Sequence, residues 1–318
     1  MDGENDDLRQ RLFWVAYNMD RSLSATLKLP ISFPEESIST KPDQRIWETA
    51  SVGYSNDITV YRSIETEVHR VLHLKEDTPK SRQNISATWA PDMTAWVINI
   101  NSNLEEWYIA TSHQEMPDVA SLSRRVIYNH LKAKIYRPTP RLPLRTAVEL
   151  QLCFESCQNV IESANVLLSL LPGAFINLWN ILHITFESAI VLLYICWQYR
   201  SQSLMRSAAS SALFSEIPKC LGMIDEIGRW WGRANLCTNC LRPILKQVKR
   251  PYSDSYLESS DDFSISDAAT TENLENLMFA DRIPCPFSSD PIFSEIDSTF
   301  FDDAMYNLYT EDLEWGIY

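Results

Sequence analysis

Apolar residues recur about every 3.6 positions along the first 250 residues, and this spacing restricts the fold more than any other feature of the sequence. Residues three or four apart share one face of an α-helix, whereas a half-buried strand alternates at every second position, and such alternation is scarce here. The chain has only seven glycines in 318 residues and lacks the G-x-G-x-x-G and G-x-x-x-x-G-K-[ST] strings. A nucleotide-binding α/β fold needs such glycine-rich turns. We therefore predict an all-α fold, built as an irregular multi-helix bundle.

Proline-rich breaks separate the predicted helices. The first apolar stripe consists of Leu8, Leu12, Ala16, Met19, Leu23 and Leu27 and ends before Pro30. A helix is also predicted over residues 144–171, stopped by Pro172 and Gly173, because proline cannot continue the helical hydrogen bonds.

Residues 177–199 are apolar on nearly every side, which is typical of a helix at the centre of a bundle. A membrane span is the alternative, but Asn180, His183 and Glu187 lie within the segment and argue against it. The acidic N-terminus fits neither a secretory signal nor a transit peptide. We therefore expect a soluble intracellular protein without a membrane partner.

The net charge of −14 is concentrated at one end of the chain. Residues 251–318 contain sixteen acidic side chains and one basic side chain, whereas residues 1–250 contain 26 acidic and 27 basic ones. Strong charge of one sign opposes collapse into a packed core. The sequence therefore predicts a helical body over residues 1–250 and a disordered acidic tail over residues 251–318.

This tail also contains twelve aromatic residues, which a purely solubilising segment would not need. Acidic residues interleaved with bulky apolar ones are typical of disordered activation segments, in which carboxylates keep aromatic rings solvated until they bind a coactivator groove. Phe300 and Phe301 directly precede Asp302, and Trp315 directly follows Glu314. We predict that Phe300, Phe301 and Trp315 bind a coactivator. The alternative is a tail that packs some of its aromatic rings onto the body.

No catalytic arrangement is recognisable, so we predict that the chain is not an enzyme. Cys237 and Cys240 form a C-x-x-C pair, but zinc requires four ligands and no second pair lies nearby. His69 and His73 are one helical turn apart with Glu65 on the same face, without an H-E-x-x-H pattern. We interpret both groups as ordinary helix faces and predict neither a metal nor a cofactor in this chain.

A basic stretch without any acidic residue lies between positions 124 and 145. Such a cluster can contact phosphates or act as a nuclear import signal. Because the body is nearly neutral, we favour a solvated helix face followed by a basic loop. The basic residues are Arg124, Arg125, Lys132, Lys134, Arg137, Arg141 and Arg145.

Three segments, taken in order, resemble one known family. Residues 11–24 read Arg-Leu-Phe-Trp-Val-Ala-Tyr-Asn-Met-Asp-Arg-Ser-Leu-Ser. This string resembles the R-L-F-W-x-x-Y-x-x-D-R-x-L-S signature of the fungal-specific transcription factor domain, which is the middle homology region of fungal zinc-cluster regulators. Residues 134–140, Lys-Ile-Tyr-Arg-Pro-Thr-Pro, resemble the L-Y-R-P-S-P segment of that family, and residues 221–245 resemble its late R-W-x-x-A helix pair. The resemblance covers roughly residues 7–250.

The resemblance implies a nuclear transcription regulator whose helical regulatory domain is truncated at its N-terminus. The matched residues are expected to be structural anchors that join helices and fix a loop. They are Arg11, Trp14, Tyr17, Asp20, Arg21, Tyr136, Arg137 and Pro138.

Members of this family read DNA through an N-terminal zinc cluster of the type C-x-x-C-R-x-R-K-x-K-C, and the 318 residues contain no such string. Zinc and DNA contact are therefore expected only through a domain outside this chain. The implied partners are the transcription machinery or a coactivator at the tail, and a homodimer or heterodimer is left open. The alternative is an interaction protein without a DNA-binding domain that modulates a full-length relative.

Overall fold

The computed structural model describes residues 2–27, 29–39, 53–72, 92–112, 119–139, 141–170, 178–200, 203–252 and 263–279. Within these ranges the regular structure is helical, apart from one isolated bridge between Thr139 and Leu142. The prediction of an all-α fold is confirmed. The described α-helices are α1 (Asp2–Leu27), α2 (Gly53–Leu72), α3 (Met93–Thr111), α4 (Val119–Tyr136), α5 (Ala147–Leu170), α6 (Leu178–Gln198), α7 (Ser203–Ser211), α8 (Ile217–Trp230), α9 (Asn235–Lys249) and α10 (Phe263–Phe279).

The chain divides into two compact units, residues 1–167 and residues 168–318, which we call unit 1 and unit 2. In unit 1, α2 packs against α1, α3 and α4, and α3 packs against α4. In unit 2, α6 packs against α7, α8, α9 and α10. The predicted regulatory domain, residues 1–250, includes all of unit 1 and part of unit 2, and its extent stays a prediction.

Helix α6 forms the centre of unit 2. Every residue from Ile181 to Trp197 is buried. The stretch Asn180–Gln198 is long and apolar enough to cross a membrane by length and composition alone, but 94% of it is buried within the protein. Burial of this kind is what a core helix shows. The central position predicted for residues 177–199 is confirmed.

Helix α1 ends close to where its apolar stripe predicts, but the stripe does not face the core. The side chains of Leu8, Leu12, Met19 and Leu23 are exposed. The buried face instead presents Trp14, Tyr17, Arg21, Ser24 and Ala25. The most apolar face of this helix is therefore its outer face.

Helix α10 corrects the prediction that helical structure ends at residue 250. Within the segment predicted as disordered, Phe263–Phe279 is helical and packs against α6 and α9. Leu274 and Thr270 are almost completely buried, and the Thr271 hydroxyl accepts a hydrogen bond of 2.9 Å from Trp197 Nε1. Among its described side chains, the buried ones are Thr270, Leu274 and Leu277, and the threonine interrupts the apolar pattern by which periodicity would reveal the helix. The predicted coactivator-binding residues Phe300, Phe301 and Trp315 lie outside the described residues.

Candidate functional site

The first matched segment forms a compact junction between α1 and the loop at residues 29–38, which we call the α1 anchor. Its centre is Arg21, whose side chain is 0% exposed. The guanidinium Nη1 lies 2.7 Å from Asp20 Oδ2, and Nη2 donates to the Phe33 carbonyl at 2.8 Å. Nε lies 3.4 Å from Glu35 Oε1. One arginine therefore fixes two carboxylates and a loop carbonyl, which uses the fork geometry of the guanidinium.

Aromatic rings enclose this arginine. The guanidinium carbon lies 4.5 Å from the centre of the Tyr17 ring and 5.2 Å from that of Phe33. The Tyr17 hydroxyl donates to Glu35 Oε1 at 2.6 Å. Burial, and then the hydrogen bond and negative charge of Glu35, raise the pKa of Tyr17 far above its ordinary value. Tyr17 therefore stays protonated and acts as a donor.

Asp20 binds the same loop from its other side. Both carboxylate oxygens accept from the Ser32 backbone N–H at 3.3 Å, and the Ser32 hydroxyl donates to Oδ1. The Ser24 hydroxyl donates to the Pro30 carbonyl at 3.3 Å. The loop is thus attached to α1 at several points, all supplied by one helix face.

Trp14 completes the α1 anchor on the apolar side. Its ring packs edge-on against Phe13 and Tyr17, with centroid distances of 5.1 and 5.2 Å. Phe33 and Ile38 of the loop pack against this buried group. Arg11 lies on α1, but its side chain is outside the described residues.

Two contacts join the α1 anchor to α2. His69 Nε2 lies 3.1 Å from the Leu29 carbonyl at the start of the loop. Asn18 and Thr59 hydrogen-bond through their side chains at 3.3 Å. Of the pair His69 and His73, the structure describes only His69, which is buried. This histidine therefore holds a loop in unit 1.

The matched residues of the second segment, Tyr136, Arg137 and Pro138, are buried at the end of α4 and in the turn that follows it. Arg145 organises this turn: Nη2 donates to the Ile135 carbonyl at 2.5 Å and Nε donates to the Arg137 carbonyl at 3.1 Å. A cation beside the last carbonyls of a helix interacts favourably with the helix dipole. Burial raises the pKa of Tyr136 and lowers that of Arg145.

Glu149 connects the same turn to the start of α5. Its carboxylate lies 3.1 Å from Arg145 Nη1 and accepts from the Thr146 backbone N–H at 2.8 Å, while the Glu149 N–H donates to the Thr146 hydroxyl at 3.2 Å. This reciprocal pair is a capping box. Burial raises the pKa of Glu149, but the hydrogen bonds from Thr146 and the charge of Arg145 outweigh it, and the net pKa is lowered.

Most of the basic side chains in residues 124–145 are buried in unit 1 or paired there with other side chains. Lys134 and Arg137 are buried, and the Arg145 side chain is 2% exposed. Lys132 Nζ lies 3.1 Å from Glu105 Oε1 and from the Tyr128 hydroxyl. Arg125 and Arg141 are exposed. The seven charges therefore do not form one continuous exposed surface for phosphates.

Cys237 and Cys240 both lie on α9, where Cys237 is buried and Cys240 is half-buried. Burial raises the pKa of the Cys240 thiol. In the part of the chain that the structure describes, no group of three or more His, Cys, Asp or Glu side chains could hold a metal ion.

Sequence reasoning missed two residues of these junctions. Glu35 lies in the loop after α1, and nothing in its neighbourhood marks it as a partner of Arg21. Arg145 was assigned to a basic loop, although the spacing Thr146-x-x-Glu149 is the signature of a capping box and could have indicated its partner.

Comparison with known proteins supports a regulatory relative. The chain is similar to "Pyrimidine pathway regulatory protein 1" of Saccharomyces cerevisiae, with 21% identity over 215 residues, covering 59% of this chain. The chain spans 23% of the length of that relative. No family model and no solved structure matches the chain. The similarity supports a relationship to a fungal regulatory protein, and it favours a regulatory role over an enzymatic one.

Proposed function

We propose that this chain belongs to a nuclear transcription regulator of the fungal zinc-cluster family, and that it supplies a helical regulatory domain and an acidic activation tail. The observation that carries the proposal is the similarity to a yeast regulatory protein in a chain whose matched segments occur in the family's order. The regulatory role rests on the comparison. The zinc-cluster family and the nuclear location rest on the resemblance.

The contacts of the α1 anchor support a structural role for the matched residues. The charges of Arg21 and Asp20 are engaged by partners from the chain itself, at 2.7 to 3.4 Å. Side chains engaged in this way fix a fold and are not exposed to a ligand. Regulation of transcription is therefore assigned to surfaces and segments outside this junction.

Activation is assigned to residues 280–318. Helix α10 packs within unit 2, so we exclude it from the predicted tail and begin the activation segment at residue 280. The remaining residues contain nine acidic side chains, one basic side chain and eight aromatic ones. This composition is typical of activation segments, whose aromatic residues bind apolar grooves of a coactivator.

A reporter assay tests this assignment. Residues 280–318, fused to an unrelated DNA-binding domain, should activate the reporter. Replacing Phe300, Phe301 and Trp315 by alanine leaves the charge unchanged and should abolish activation, because the groove-binding rings are lost. Phe287→Ala is the control and should retain activity, because Phe287 lies outside residues 290–318, which hold most of the acidic and aromatic side chains of this segment. Full activity of the triple variant would contradict the proposal.

The chain itself is expected to hold no stoichiometric zinc and to bind duplex DNA only weakly. Neutralising several phosphates would give a steep loss of affinity with salt, whereas we expect a shallow dependence. Elemental analysis and a salt titration of DNA binding measure both. Tight, sequence-selective binding would contradict this expectation.

A second candidate is a modulator that pairs with a full-length relative and lacks its own DNA-binding domain. Co-expression with a full-length relative separates the two candidates: a modulator lowers the relative's reporter output, whereas an activator does not.

A further inference from the structure

Ser32 is an exposed serine in the loop of the α1 anchor. The residue lies at a bend between the end of α1 and the short 3₁₀ turn Glu35–Ser37, so its backbone is not held in a helix. The Ser32 hydroxyl donates to Asp20 Oδ1, and its backbone N–H donates to the same carboxylate at 3.3 Å. The contact between Asp20 and the loop therefore depends on a side chain that reaches the surface.

Carboxylates follow this serine at the spacing that acid-directed protein kinases recognise. Residues 32–36 read Ser-Phe-Pro-Glu-Glu, which places acidic side chains three and four positions after the hydroxyl. Such kinases bind the acidic residues of a substrate through clusters of Arg and Lys, because charge-assisted contacts are strong. Glu35 lies 3.4 Å from Arg21, but its side chain is still 43% exposed. The loop thus presents both an acceptor hydroxyl and an acidic recognition residue.

We propose that Ser32 is a phosphorylation site for an acid-directed serine/threonine kinase, and that its phosphate releases this part of the loop from Asp20. In the reaction, the Ser32 oxygen forms a bond to the γ-phosphorus of ATP and the bond from that phosphorus to the β–γ bridging oxygen breaks. ADP leaves, and the hydroxyl proton passes to a base of the kinase. The proposal is independent of the activation segment, because the residues involved all lie in unit 1.

Phosphorylation reverses the role of the Ser32 side chain. The hydroxyl donates to Asp20, whereas a phosphate with a charge of about −1.5 to −2 at pH 7 presents acceptor oxygens and repels a neighbouring carboxylate. Arg21 is not available to this phosphate, because its side chain is 0% exposed and its three nitrogens already have partners within the α1 anchor. The Ser32 end of the loop therefore separates from α1, while Arg21 keeps the Phe33 carbonyl.

Incubation of the full chain with ATP and a purified acid-directed casein kinase, followed by mass spectrometry of its peptides, tests the site. We expect phosphate on Ser32. Glu35→Gln should slow this modification about tenfold or more, because it removes the charge that the kinase recognises. Asp20→Asn is the matched control: it loosens the same loop but keeps the acidic residues after Ser32, so modification should be at least as fast as in the unchanged chain.

Hydrogen exchange over residues 29–38 tests the release of the loop. The phosphorylated chain should exchange about tenfold faster there, because a hydrogen bond to a charged group is lost. Ser32→Asp, which also places a negative charge beside Asp20, should act in the same direction. Ser32→Asn is the matched control, since its neutral amide can still donate to Asp20, and its exchange should stay close to that of the unchanged chain. Residues 150–164 of α5 should be equally protected in every sample, which shows that unit 1 remains folded.

Three results would overturn the proposal. The first is a Ser32 that stays unmodified while Ser255 and Ser259, which have Glu258 and Asp262 three positions later, are phosphorylated in the same sample. The second is undiminished modification of Ser32 in the Glu35→Gln variant. The third is a chain phosphorylated on Ser32 whose loop exchanges no faster than the loop of the unmodified chain.

Discussion

The described interior of unit 1 contains Arg21, Lys134 and Arg137, whereas in unit 2 fully buried apolar side chains such as Leu192 and Phe186 fill the interior. Unit 2 also buries His183 and Glu187 on α6, whose Nε2 and Oε2 atoms lie 3.7 Å apart. Unit 1 also buries apolar side chains such as Leu104 and Leu131 completely, so its interior depends on directed hydrogen bonds in addition to apolar packing. The described interior of unit 2 depends mainly on volume and shape. The two units should therefore tolerate different substitutions.

The largest effect is expected from removing the centre of the α1 anchor. Arg21→Ala removes a completely buried side chain together with its contacts to Asp20, Glu35 and the Phe33 carbonyl. It should cost about 3–5 kcal/mol, because charge-assisted hydrogen bonds are lost and a cavity is left behind. Chemical unfolding, followed by circular dichroism, measures this loss.

Arg70→Ala is the matched control. It removes an arginine that is 62% exposed and paired with Glu67, and it should cost less than about 1 kcal/mol. Equal losses of unfolding free energy in the two variants would show that Arg21 contributes no more to stability than an exposed arginine does.

The stability of unit 2 should depend on the volume of its buried side chains. Leu192→Ala on α6 removes a fully buried side chain and should cost about 2–5 kcal/mol, because a cavity is left behind. Leu192→Met keeps the volume and should cost less than about 1.5 kcal/mol. In unit 1, Arg21→Lys keeps the charge but loses the fork, and it should remain strongly destabilising. The comparison fails if both conservative changes are tolerated equally in unfolding experiments.

Acid should weaken unit 1 through Glu149. The pKa of this carboxyl is lowered in the folded protein, so its contribution is complete above about pH 5, beyond the ordinary pKa near 4.3, and is lost as the pH falls through the lowered pKa. Glu149→Gln should cost about 1 kcal/mol at pH 7 and progressively less as the pH falls through the lowered pKa of Glu149. Denaturant titrations of the unchanged protein and of the variant at several pH values measure how the free energy of unfolding of each depends on pH. Parallel profiles for the two proteins would contradict this prediction.

The smallest effects concern two glycines of α8. A Cβ on Gly222 would meet nothing within 4 Å, so Gly222→Ala should stabilise the helix by about 1 kcal/mol. A Cβ on Gly228 would come within 2.1 Å of Asn235 Oδ1 at the start of α9. Gly228→Ala should therefore bring little or no gain, because Asn235 has to move. Equal gains in the unfolding midpoint would contradict this close approach.

Sequence patterns predicted the helices better than their faces. Residues 177–199 could be predicted as a central helix because its apolar residues leave no polar side. In α1 the period was right, but the buried face carries Arg21 and Tyr17, and an average of hydrophobicity cannot foresee that an ion pair will be buried. The contact between Glu35 and Arg21 could not be predicted, because it depends on the path of the loop, which local sequence patterns do not determine. In α10 a threonine, Thr270, occupies one of the described buried positions, so the apolar pattern of this helix is incomplete.

The central claim is that residues 280–318 activate transcription and that the helical units do not. It is tested most directly with the whole chain. The full chain, fused to an unrelated DNA-binding domain, should activate a reporter, whereas residues 1–279, which retain α10, should give only background output. Both proteins should unfold at the same denaturant concentration, so that a loss of output reflects a loss of the tail and not of the fold. Undiminished activation by residues 1–279 would contradict the assignment of activation to residues 280–318.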